Sequence, residues 1–274
     1  MENFNIFYWL LAVIAIGITI NNFMKVKTFK REREFVNVYS KVLNESEDAY
    51  DAVIKYVNEE KEAYLKNKAR VIEVYEKLLK NEDVEELIQE IDFEPLFKVK
   101  GRFDAKHANR NGDIFVWLAL VFAKANKLKK TEVINKLYEK LVPYDELLNN
   151  SLEYKLCKAY TAAILNKEVE DYDFLKKLLD GDYAGMVYEQ RLIGLYKRIA
   201  ASYLVFKGEK IDEYFDNDLR DFGTHLVGKA LLTDLNLMDK YPAPVVEQAT
   251  SEIENNEEVN KDGEEVKKEE EENC

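Results

Sequence analysis

The chain has 274 residues, 53 of them acidic and 40 basic, for a formal charge of −13. That balance excludes a general polyanion binder, whose footprint is basic, so no nucleic-acid partner is expected. Only 10 Gly, 4 Pro and 2 His are present. Gly-rich phosphate loops, turn-dense β architectures and His-based catalytic or metal centres therefore lack material, and no cofactor is expected. A hydrophobic fraction of 47% suffices for a sizeable core, and the fold class that remains is all-α. Cys157 and Cys274 stand too far apart in pattern and context to form a disulfide framework, which points to a reducing compartment.

Residues 6–20 read IFYWLLAVIAIGITI, and residues 4–24 carry no charge. At 1.5 Å per residue they span roughly 31 Å, which matches a hydrocarbon core of about 30 Å. They predict a transmembrane anchor, with Tyr8 and Trp9 near one interface. Asn21 and Asn22 weaken the other end. A cleaved signal peptide would need a basic leader and a small-residue cleavage site, yet Glu2 is the one charge before the run. A helix buried in protein is the competing reading. The collar at residues 25–34 contains Lys25, Lys27, Lys30, Arg31 and Arg33. By the positive-inside rule, a single-pass protein of the cell membrane would have its N-terminus outside and its C-terminal region in the cytoplasm. The same collar suits anionic headgroups.

Residues 35–111 form an N-terminal helical region. Phe35, Val38, Tyr39 and Val42, and later Val71, Val74, Tyr75 and Leu78, fall at steps of three and four, the spacing of amphipathic helices. Asn44 and Ser46 predict a break, and Asp83 with Glu86 predicts a capped helix start. Pro95, Gly101 and Gly112 then interrupt the pattern, predicting an irregular loop over residues 91–111. Between residues 98 and 113, Lys98, Lys100, Arg102, Lys106 and Arg110 oppose only Asp104 and Asp113. Arg110, the backbone around Gly112 and the next helix N-terminus form a candidate phosphate or carboxylate site. The alternative is a solvated connector in which Asp113 merely caps that helix.

Residues 112–240 contain an internal echo. Ala119 to Asn126, Ala159 to Asn166 and Ala201 to Gly208 align without gaps at intervals of 40 and 42 residues. Each starts with alanine, which allows close helix approach, and ends with a residue tolerant of the left-handed conformation that stops a helix. Apolar residues at helical spacing follow each time, the third set being Ile211, Tyr214, Phe215 and Leu219. Leu118-Ala119-x-x-Phe122-x-x-x-Asn126 resembles helix A of the tetratricopeptide repeat, with Phe115 at that family's first aromatic position. Ala200-Ala201-x-x-Leu204-x-x-x-Gly208 and Lys158-Ala159-x-x-Ala162-x-x-x-Asn166 follow the spacing more loosely. The second helices lack the family's alanines and closing proline, and a repeat of about 40 exceeds the usual 34 or so. The resemblance covers residues 112–220 and implies a degenerate α-solenoid that binds proteins or peptides along a concave face. A last helix containing His225 is predicted over residues 219–237. Residues 241–274 form an acidic tail with 12 acids, 3 lysines and, from residue 243, no aromatic side chain, a composition that predicts disorder. Cys274 is not at the prenylation position.

Three functions follow as expectations. The first is a membrane-anchored helical scaffold that recruits partner proteins. The second is a self-associating stalk, a homodimer formed through residues 35–79. An enzyme ranks last: acid pairs such as Glu86/Glu90 and Asp212/Asp216 arise by chance in a chain with 53 acids. The two His supply no zinc set.

Overall fold

The computed structural model describes residues 2–165, 173–214, 219, 222 and 225–239, with side chains from Ile16 onward. The acidic tail and Asn166 lie outside the described residues, as do the side chains of Tyr8 and Trp9. Among the described residues the fold is all-α apart from one minimal hairpin and an isolated bridge between Ser151 and Val187.

Helix α1 (Glu2–Leu43) runs unbroken for 42 residues, about 63 Å at the standard rise. It passes from the uncharged stretch through the collar into the body without interruption. Every side chain from residue 16 to 30 is exposed, Arg31 is half-buried, and Phe35 is the first buried residue. The helix stops at the predicted break. Glu45 takes φ 53°, and the N–H groups of Glu45 and Ser46 bond back to Val42 and Lys41, the closure that satisfies the last carbonyls of a helix.

Helices α2 (Ala49–Glu59) and α3 (Ala63–Leu79) fold back on α1, burying Phe35, Val42, Val53, Val57 and Val74 between them. A stalk between two copies through residues 35–79 would need these same faces, which the single chain already covers. Helix α4 (Glu85–Glu90) starts where predicted, with the Asp83 carboxylate accepting from the Glu85 N–H rather than from Glu86.

Residues 91–111 are not an irregular loop. Helix α5 (Glu94–Phe97) begins with Pro95, whose missing N–H costs nothing in a first turn. Strands β1 (Lys98–Val99) and β2 (Arg102–Phe103) then pair across Lys100 and Gly101, at φ 51° and 74°. Two positive φ values are the requirement of a tight two-residue hairpin turn. Asp104 caps α6 (Ala105–Arg110) by accepting from the His107 N–H at 2.8 Å. Ile91, Phe93, Leu96 and Phe97 are buried and hold the segment to the core. His107 lies edge-on to Tyr64 at 5.3 Å, its Nε2 2.8 Å from the Pro95 carbonyl, so it is a packing residue.

Helix α7 (Asp113–Lys127) is the centre. Residues 114–123 are all buried, because α3, α8 (Thr131–Glu139), α10 (Leu152–Ile164), α12 (Ile193–Phe206) and α13 (Leu226–Asp234) surround it. Short α9 (Asp145–Leu148) and α11 (Phe174–Leu179) complete the set. The three echo helices α7, α10 and α12 do meet, and Ala119, Ala159 and Ala201 are buried where they do. Tyr160 of α10 and Tyr203 of α12 stack at 4.7 Å, and their hydroxyls donate to the Phe115 and Ala119 carbonyls of α7. In a solenoid each repeat touches only its neighbours. Here the first echo helix touches the third as well as the second, so the bundle closes around α7 and no tetratricopeptide-type repeat is established.

Other expectations for this half need correction. Asn126 stays helical, and the left-handed residue is Lys129 at φ 57°. Gly208 does stop its helix, at φ 88°. Of the third set, Ile211 is buried and Asp212–Tyr214 form a short 3-10 turn, while Phe215 lies outside the described residues. Helix α13 starts after His225, which sits at its N-cap rather than inside it.

Closing the bundle buries charge. Asp234 of α13, 2% exposed, pairs with Lys124 of α7 at 2.5 Å. Removing one partner leaves a buried charge uncompensated, so Asp234→Ala is expected to lower unfolding free energy by about 3 kcal/mol in urea titration. Glu73 and Glu76 of α3 are buried, and burial raises both carboxyls above the ordinary range. A raised folded pKa means that the native state holds protons the unfolded chain has released, so stability falls as pH rises through that interval. Glu76→Gln is therefore expected to be neutral or stabilising at pH 7, with the gain over the parent shrinking as pH falls toward the ordinary carboxylate value; urea midpoints across that range test it.

Candidate functional site

An open groove of about 630 Å³ runs between the N-terminal end of α1's packed half and the body. Met24, Lys25, Thr28, Phe29 and Glu32 form its α1 side. The other wall carries Lys68, Arg110 and Asp113, with Glu189 and Arg191 from the segment that precedes α12.

Two buried polar constructions hold that wall. Lys68 of α3, its side chain 6% exposed, pairs with Asp113 at 2.6 Å and lies over the Phe35 ring at 5.0 Å. One ammonium thus ties α3, α7 and α1 together, and Asp113 sits at a helix start where negative charge is favourable. The second construction is Glu153, 1% exposed, in the first turn of α10. Its carboxylate accepts from Ser151 Oγ at 2.6 Å, the Glu189 N–H at 2.9 Å and the Tyr196 hydroxyl at 3.0 Å. Burial and the neighbouring carboxylate push the Tyr196 phenol well up. Val187 pairs with Asn150 and Leu152, and Asn109 donates to the Tyr188 carbonyl. These bonds fix the chain that delivers Glu189 and Arg191 to the groove.

The same contacts fill the candidate anion site. A Cβ on Gly112 would lie 2.8 Å from the Tyr196 hydroxyl and 3.0 Å from Glu153 Oε1. The Cβ side of Gly112 at the start of α7 is therefore occupied by the protein's own Tyr196 and Glu153. Of the five basic residues proposed for that site, Arg110 alone lines the groove. Lys98 pairs with Glu94 at 3.3 Å and faces the Tyr144 ring, while Lys100, Arg102 and Lys106 are exposed elsewhere on the hairpin and α6. In the collar, Arg31 is drawn into the body by Glu60 and Glu62, and Lys30 is within 3.9 Å of Glu34. Lys25, Lys27 and Arg33 remain exposed.

A second cleft of about 470 Å³ takes in Glu73, Glu86 and Glu90 together with Lys66, Arg70 and Lys77. Arg70 holds Glu90 at 2.7 Å, so Glu86 and Glu90 do not act as a free carboxylate pair; Asp216 lies outside the described residues. Among the described residues no three His, Cys, Asp or Glu side chains converge as metal ligands. Cys157 is a core residue, its thiol pushed up to about 12 by burial. Comparison with protein-family models, curated proteins and solved structures returns no match.

Lys68, Glu153, Glu189, Arg191 and Tyr196 were not singled out by sequence. Only Ser151, a helix-capping residue two places before Glu153, gives a local signal. Gly112→Ala is expected to lower stability by about 1–3 kcal/mol through overpacking. In a Tyr196→Phe background, where the closest atom is gone, its further cost should be smaller; a double-mutant cycle in urea measures the difference.

Proposed function

We propose that the chain is a single-pass membrane protein whose α1 crosses the bilayer and displays a helical body to partner proteins on the cytoplasmic side. The observation that carries this reading is the exposed stretch of α1. Ile16, Ile18, Ile20, Phe23, Met24, Val26 and Phe29 are each at least 55% exposed. At about 100° per residue these positions cover about two thirds of the helix circumference, with Asn21, Lys25 and Thr28 in the remaining strip. A surface this broadly apolar belongs against protein or lipid, and among the described residues no protein covers it. Among those residues no helix is long and apolar enough to cross a membrane; the crossing proposed here also uses residues 4–15, whose side chains lie outside them. Lys25, Lys27 and Lys30 then give the orientation, with the positive flank inside. Binding of protein partners is drawn from the tetratricopeptide-like helix signature, and the self-associating alternative from the same bare helix.

The full chain is expected to stay in the pellet on carbonate extraction of membranes, and a chain with Ile16, Ile18 and Ile20 changed to Lys to be released. A cysteine placed at Lys61 in a Cys274→Ser chain should resist an impermeant reagent in intact cells and react after lysis. Labelling without lysis would reverse the topology. Detergent-phase crosslinking that captured self-dimers through α1 and nothing else would favour the homodimer.

A further inference from the structure

The groove at the foot of α1 has chemistry that an anchor alone does not require. It begins beside Met24, the last residue of the uncharged stretch, and Lys25, the first cation after it. A bilayer entered by α1 therefore sets its headgroups at the groove's mouth. Two of the groove's cations are already matched, Lys68 by Asp113 at 2.6 Å and Arg191 by Glu189 at 3.6 Å. Lys25 and Arg110, both exposed, have no ion-pair partner among the described residues. Glu32 is the acid on the α1 side, seven residues or about 10 Å along the helix from Lys25. Met24 and Phe29, 55% and 67% exposed, put apolar surface next to these free cations.

We propose that this groove binds the headgroup of an anionic phospholipid, with its phosphate taken by Arg110 and Lys25 and its first methylenes lying on Met24 and Phe29. A guanidinium presents two parallel N–H donors to a phosphate, and a lysine adds a point charge beside it. The apolar side of the groove continues into the bare face of α1, so the occupant that covers both is amphiphilic; a soluble phosphate would leave Met24 and Phe29 wet. Lys27 and Lys30 sit on the same helix without lining the groove, and they offer only diffuse attraction. The proposal rests on α1 being inserted in the bilayer.

The test uses the full chain reconstituted in nanodiscs of phosphatidylcholine with a minor fraction of phosphatidylglycerol, followed by mild detergent release and mass spectrometry of the retained lipid. Phosphatidylglycerol should be enriched over its share of the bilayer. Arg110→Gln and Lys25→Gln should each cut that retention roughly tenfold, the effect of losing one hydrogen bond between charged groups. The Lys27→Gln, Lys30→Gln double variant should change it less than twofold. Carbonate extraction of the same samples reads insertion separately. A chain that is extracted overturns the anchor, and this proposal with it. A chain that stays inserted but retains the two lipids in bilayer proportion, or whose Arg110 variant keeps its phosphatidylglycerol, overturns the lipid site alone. So does loss of retained lipid to millimolar inorganic phosphate, which would assign the cations to a soluble anion.

Discussion

An α-helix that is apolar on every side needs apolar surroundings on every side, and this chain contains two such stretches. In α7 the surroundings are protein. Ten consecutive buried positions, from Ile114 through Trp117 and Phe122 to Ala123, leave no face for water, so helices from both halves of the sequence must converge on it. Each large apolar side chain enclosed in this way contributes about 1.5–3 kcal/mol relative to exposure. In α1, residues 6–20 carry the same all-round apolar sequence, and the part of it with described side chains, residues 16–20, has no such enclosure. Because α1 is one continuous helix whose later turns belong to the core around α7, whatever medium takes in its bare end also fixes where the body stands.

Enclosure of α7 explains the buried polar groups. Where helices from distant parts of the chain meet it, charged side chains lose water and are kept only where a partner waits. Lys68 finds Asp113 at the start of α7, Lys124 finds Asp234 near its end, and Glu153 collects three donors at the start of α10. The first and third of these also shape one wall of the groove. The groove is thus a by-product of how α3, α7, α10 and the segment before α12 are locked together, a wall of buried polar contacts facing a bare helix.

Much of the helical layout was legible in the sequence because it rests on local rules. The spacing of Phe35, Val38 and Val42, the stop near Asn44 and the start near Asp83 all depend on neighbours within a turn or two. The segment 91–111 was misread because Pro95 and Gly101 signal an end of regular structure without saying what replaces it. Pro95 opens a helix, and Lys100-Gly101 closes a hairpin that an Asn-Gly pair would have announced more strongly. The echo of alanines at Ala119, Ala159 and Ala201 correctly marked close helix contacts, yet spacing alone cannot distinguish stacking in a row from closure around one member. The site was least legible of all. Glu153 is one acid among 53, and its role depends on Gly112 and Tyr196, each about forty residues away in the chain.

The body and the bare end of α1 are therefore joined by one continuous helix, with a cation-bearing groove at their junction. The measurement that tests this most directly is a spin-label scan along α1 from Ile16 to Lys30 in a reconstituted bilayer, comparing collisions with oxygen and with a water-soluble relaxation agent. Oxygen should dominate from Ile16 to Phe23 without helical periodicity, with a crossover between Met24 and Lys30 and labels on the Arg110 loop reporting the surface. A soluble agent reaching Ile16 to Phe23 freely, or a 3.6-residue alternation showing one face packed on protein, would contradict it.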